Sequence, residues 1–254
     1  PVRMLPRLRP IRIELKAPRL RQVVRTLLVA VALSFGASAQ TWVNWDFTVP
    51  ADKQEEFNAV WAKFMASETG KALPMCFVSQ HEMGEATHNT SISFIGESAD
   101  ALAPLFDYAA IMQSPEWMEP FMWFGMNADP YRTQTGYQIA ASAQKEGNGY
   151  QAFWGVEVAD PMATAGAFQQ LIADSQPLMD EYNVEIALHQ VLAGQPGAIT
   201  HYIGGNFKDY ATFIKASQVM YQSEGFGKFA MATQANVNPL TYTRTIMGAW
   251  NTGE

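Results

Sequence analysis

"VSQHEMGEA" (Val78–Ala86) and "IALHQVLAG" (Ile186–Gly194) lie 108 residues apart, and each carries a histidine, His81 or His189, before it runs into a glycine-containing turn. Sliding the chain against itself by the same offset brings Ala51 and Asp52 onto Ala159 and Asp160, and Ile95 and Gly96 onto Ile203 and Gly204. It also brings Glu116 onto Glu224, Phe121 onto Phe229 and Ala141 onto Ala249. One offset that holds from the first turn of each half to its last strand is the signature of a duplicated unit.

Within each half the elements follow one order. "WVNWDFTV" (residues 42–49) alternates so that Val43, Trp45, Phe47 and Val49 share a strand face, and "AFWGVEVA" (152–159) alternates in the same way. "KQEEFNAVWAKFMAS" (53–67) places Phe57, Val60, Trp61 and Phe64 at helical spacing, and Phe168, Leu171 and Ile172 repeat that pattern in the second half. Next come two strands joined by a turn, "MCFVSQHEM" and "SISFIG" in the first half, "VEIALHQVL" and "ITHYIGG" in the second. A second helix, "DALAPLFDYAAIMQS" or "DYATFIKASQVMYQS", and a last strand, "TQTGYQIAA" or "TYTRTIMGAW", complete each unit.

This order is β-α-β-β-α-β, the split unit whose four-stranded sheet carries both helices on one face. The expected class is therefore α+β: two tandem ferredoxin-like repeats, 40–144 and 150–254, joined by a linker at 145–149 ("KEGNG"). The bare sheet faces must cover each other, and in this respect the chain resembles the dimeric α/β-barrel superfamily, with antiparallel sheets packed as in those barrels. The resemblance spans about Trp42 to Trp250 and rests on element order, not on a diagnostic motif. It implies a range of activities, among them cofactor-independent monooxygenases and haem-handling proteins.

Residues 1–39 read as an address and not as fold. Seven arginines and Lys16 against one acid, Glu14, precede the apolar run "TLLVAVALSF" (26–35) and a small-x-small site at Ala37–Ala39. A secretory signal peptide has this form, which places the mature protein in the periplasm or outside the cell. Without that segment the chain has 9 basic and 23 acidic residues, a net charge of about −14. Such a surface repels nucleic acid and anionic lipid, so neither is an expected partner, and no membrane contact is expected once the signal is removed. The single cysteine, Cys76, excludes an intramolecular disulfide. The oligomeric expectation is a monomer or homodimer.

The candidate ligand pocket comprises His81, His189, His201, Trp117, Phe121, Glu116 and Glu224. A hairpin centred near Gln195 would set His189 opposite His201 on one face, while His81 would have Ser79, Ser91 and Ser93 around it. The stretch "MQSPEWMEPFMWFGMN" (112–127) supplies an apolar wall, and its partner replaces Trp117 with Gly225. The larger apolar pocket is accordingly expected in the first half. No His-x-x-x-His or Cys-x-x-Cys pair supplies a third metal ligand, so no metal and no cofactor is predicted, with haem and a metal both left open. No catalytic residue can be named, and catalysis itself stays open. The leading function is binding of a small apolar or aromatic molecule; the alternatives are a cofactor-independent monooxygenase-like enzyme and a non-catalytic envelope interaction protein.

Overall fold

Eight antiparallel strands close on themselves in the computed structural model, which describes residues 40–84, 87–194, 197–233, 236–237 and 241–252. The predicted signal peptide, residues 1–39, lies outside them. In chain order the strands are β1 (Thr41–Thr48), β2 (Met75–Gly84), β3 (Thr90–Gly96), β4 (Asp129–Ala141), β5 (Tyr150–Glu157), β6 (Glu185–Ala193), β7 (His201–Phe207), β8 (Asn236–Val237) and β9 (Tyr242–Trp250). Their order is β7-β6-β4-β1-β3-β2-β9-β5, and pairing of β5 with β7 closes the barrel; the two-residue β8 adds to β5. The first half contributes four neighbours, β4-β1-β3-β2, and the second contributes β9-β5-β7-β6. Two seams, β2–β9 and β4–β6, join them.

Closure gives every strand an outer face under helices and an inner face in the barrel, and the sequence alternation decides which side chain goes where. Val43, Cys76, Val78, Ile92 and Phe94 point outward in the first half and pack on helix α1 (Gln54–Met65), which buries Phe57, Trp61, Phe64 and Met65. A short α2 (Glu68–Lys71) follows, capped by Ser67. In the second half Tyr150, Ala152, Ile186, Leu188 and Phe207 pack on α6 (Pro161–Tyr182) through its Phe168, Leu171 and Met179. Asp160 caps α6 by accepting from the amides of Met162 and Ala163, and Asn183 ends it in the left-handed region at φ 52°.

The second helix of the first half is not the single helix that its apolar pattern suggests. It is cut into α3 (Ala99–Leu102), a 3₁₀ turn at 103–106 containing Pro104, α4 (Tyr108–Gln113) and α5 (Pro115–Asn127). Each restart has its own cap, with Ser98, Asp107 and Ser114 accepting from the amides of Ala101, Ala110 and Trp117. These side chains compete with the helical backbone and so favour termini over interiors. The second half shows one such break, at Ser223, between α7 (Tyr210–Gln222) and α8 (Glu224–Thr233).

The β4–β6 seam depends on a glycine. A Cβ at Gly136 would lie 2.0 Å from the Gln190 carbonyl oxygen and 2.6 Å from the Trp42 ring. Gly136→Ala is therefore expected to force the seam apart and cost about 2 kcal/mol. A thermal melt should show a drop of roughly 4–8 °C, and an unchanged melting temperature would refute this account of the seam.

Candidate functional site

The inner barrel face is unusually polar. Asp46 on β1 is buried, and its Oδ1 accepts hydrogen bonds from Ser91 Oγ (2.6 Å) on β3 and from the side-chain amide of Asn44. Its Oδ2 accepts from Arg132 Nε (2.6 Å) on β4 and lies 3.5 Å from His88 Nε2. The ladder aligns these groups: Asp46 is the direct neighbour of Ser91 on one side and of Arg132 on the other. His81, on β2, places Nε2 2.6 Å from Ser91 Oγ. Its ring meets those of His88, at 4.2 Å, and Tyr242, at 5.0 Å between centroids, while His88 stacks on Tyr131.

Arg244, on β9, extends this network. Its Nη1 donates to Asn44 Oδ1 (3.2 Å) and Ser93 Oγ (3.1 Å), and its Nε donates to Gln151 Oε1 (2.7 Å). These three partners are neutral, and the guanidinium also lies over the Phe153 ring. Burial, with His88, Arg244 and Arg132 nearby, pushes the pKa of His81 down to about 2. Burial and Arg244 push that of His189 down to about 4. Both imidazoles are thus neutral in the folded protein across the physiological range.

The sequence-predicted residues divide into separate places. His81 and His189 both face the barrel interior; His81 has Ser79 and Ser91 beside it as expected, and His189 meets the Trp42 ring edge-on and hangs over Gly204. His201 does not join them. In the β6–β7 ladder His189 pairs with Tyr202 and His201 with Gln190, so His201 turns to the outer face, where Nδ1 meets Thr200 Oγ1 at 2.9 Å. The expected hairpin was one residue out of register, and a one-residue slip reverses every side chain.

Trp117 lies in neither histidine environment. It is buried against Phe64 and Trp61, with Phe121 at its outer edge. Glu116 accepts from the Thr69 amide at the surface, and Glu224 pairs with Lys228 at 3.0 Å. Trp117, Phe121 and the two glutamates therefore form no common pocket with the histidines. The first half has an open surface depression lined by Asp100, Pro104, Phe106 and Asp107, but the apolar pocket expected around Trp117 is not there, because Trp61, Phe64 and Trp117 pack on one another between α1, α5 and the sheet. An apolar cavity of about 60 Å³ lies instead in the second half, between the sheet and α6–α8, lined by Trp154, Phe168, Ile203, Ser217, Met220 and Tyr221 among others.

No protein-family model matches the sequence, and no curated protein matches it. Solved structures do. A candidate monooxygenase from Lactobacillus acidophilus superposes with a TM-score of 0.61 at 12% identity, over 85% of this chain and 97% of the other. A second candidate monooxygenase, from Fusobacterium nucleatum, gives 0.56 at 12%, over 85% and 96%. An anthrone oxidase-like protein gives 0.53 at 13%, over 86% and 95%. The fold is that of the dimeric α+β barrels. At such identities the likeness extends to the fold and no further.

The depressed His189 pKa sets a pH dependence. The folded state holds this imidazole neutral down to about pH 4, whereas the unfolded chain protonates it near 6.5. The unfolded state thus binds more protons in that window, and stability falls as pH drops from about 6.5 to 4, by up to about 1.4 kcal/mol per unit. Urea midpoints measured across this range should fall for the wild type and fall less steeply for His189→Gln; equal slopes would disprove the assignment.

Proposed function

We infer that this protein is a small-molecule-binding barrel whose apolar ligand enters the second-half cavity between the sheet and α6–α8. The observation that carries the reading is the lining, in which Ser217 and Tyr221 are the hydroxyl-bearing groups among aliphatic and aromatic side chains. Ligand cavities typically combine such a wall with few polar groups. At about 60 Å³ the cavity is smaller than the roughly 150 Å³ that admits benzene in an engineered core. A single ring or short chain therefore enters only as Met220, flexible, and Tyr221, half exposed, swing aside.

A second reading is oxygenation, which the names of the monooxygenase neighbours carry, in the cofactor-independent form, on an aromatic substrate, that the resemblance implies. That chemistry needs a base, and the cavity offers Ser217 and Tyr221, whose phenol is pushed up by burial. Neither takes a proton near neutrality, which favours binding over catalysis. Haem, which the resemblance allows, does not fit this cavity: the space is too small, and the lining has no imidazole or thiolate for iron and no lysine or arginine for the propionates.

The strand orders β4-β1-β3-β2 and β9-β5-β7-β6 support reading 40–144 and 150–254 as duplicated ferredoxin-like units. The basic, apolar and small-residue leader supports export. Fluorobenzene, followed by ¹⁹F NMR, tests the binding site. It should bind the wild type weakly, bind Met220→Ala several-fold more tightly and lose binding in Ala216→Phe; affinities insensitive to both changes would sink the proposal.

A further inference from the structure

We propose that Asp46, His81 and His88 form a binding site for a divalent transition metal at one end of the barrel, separate from the apolar cavity. One donor atom from each residue lies within 4.8 Å of the other two. Metal–ligand bonds of about 2.0–2.2 Å place the donors of one site roughly 3–4 Å apart, so small ring rotations close the set. Asp46 and His88 are buried, 1% and 3% exposed, unlike the surface acids that cluster without binding anything.

The hydrogen bonds select the imidazole tautomer that a metal needs. Ser91 Oγ donates its one proton to Asp46 Oδ1, so it can only accept from His81, and Nε2 of that ring carries the hydrogen. Nδ1 is then a bare lone pair, buried and without a hydrogen-bond partner among the described residues. A buried acceptor left so is destabilising, and a metal ion would satisfy it. Ser91 also orients the carboxylate, and Arg132 Nε holds Asp46 Oδ2 from the other side. Metal-ligating histidines and carboxylates commonly have their remaining atoms fixed in this way.

Two imidazoles and one carboxylate suit Zn²⁺, Fe²⁺, Ni²⁺ or Cu²⁺ and not the all-oxygen preferences of Ca²⁺ or Mg²⁺. Three protein ligands leave a coordination position open. Arg132 and Arg244 add positive charge, which a cation alone would oppose and an anionic fourth ligand such as hydroxide would offset. Arg132 Nη1, buried and without a hydrogen-bond partner among the described residues, is a donor available for that role. The sequence reading missed the site because its ligands come from β1, from β2 and from the loop seven residues after His81, so no helical or short-range motif marks it.

The test uses the protein stripped with a chelator and then titrated with Co²⁺ and Zn²⁺. One equivalent per chain is expected, with visible d–d absorption from bound Co²⁺ and at least tenfold weaker binding in His81→Gln and in His88→Gln. His189→Gln and His201→Gln should bind as the wild type does. Because the first two variants could misfold, ¹⁵N-histidine NMR of the wild type gives an independent reading: Zn²⁺ should shift two of the four histidine rings, and these should be the rings whose signals are lost in the His81 and His88 variants. Absence of stoichiometric binding, binding indifferent to both variants, or shifts at His189 or His201 instead would overturn the proposal.

Discussion

A single carboxylate, that of Asp46, organises the interior of this barrel. An anion removed from water must be matched by donors or its desolvation is not offset, and here the donors come from its own strand and from both adjacent strands. Each donor is correctly placed in only one register of its strand. The carboxylate thereby specifies how β4, β1 and β3 align, and through Ser91 and His81 it reaches β2. Arg244 continues the same logic across the seam, since its hydrogen bonds to Asn44 and Ser93 tie the second half of the chain to the first.

Outside the barrel the forces are of another kind. Two apolar layers hold the helices to the strands, and they differ in how they are filled. In the first half the large rings of Trp61, Phe64 and Trp117 occupy the space between α1, α5 and the sheet. At the position matching Trp117 the second half has Gly225, where an added Cβ would come within 2.9 Å of Asp174 on α6. There the helices approach closely through a missing side chain, no indole fills the layer, and the cavity between Trp154, Phe168 and Met220 remains. The cavity thus lies on the side with fewer tryptophans.

Much of the architecture was legible in the sequence because strand alternation and helical spacing act locally. Val43, Trp45 and Phe47 share the face that their pattern indicates, and the helices begin where turn residues stand. Ser79 and Ser91 flank His81 because their spacing around the turn is even. Paired residues across the second hairpin are separated by odd numbers, which nothing in "AGQPG" reveals, so His201 could not be placed from its neighbours in sequence. The site around Asp46 was illegible for a different reason. An aspartate in an alternating strand reads as a solvent-facing residue, and only closure of eight strands turns that face inward to meet Arg132 and His88.

The strand nearest the end of the described chain has a part in this closure that its position makes demanding. β9 pairs with β2 on one side and β5 on the other, and Arg244 contacts a residue 200 positions earlier. Contacts between such distant segments form only after the intervening chain has been brought together, which slows folding relative to a helical bundle of equal size. Until β9 is in place, β2 and β5 present open edges, and the charged interior is wet. The polar centre is thus sealed only where segments from the two ends of the fold meet, and its closure depends on the most sequence-distant contacts described.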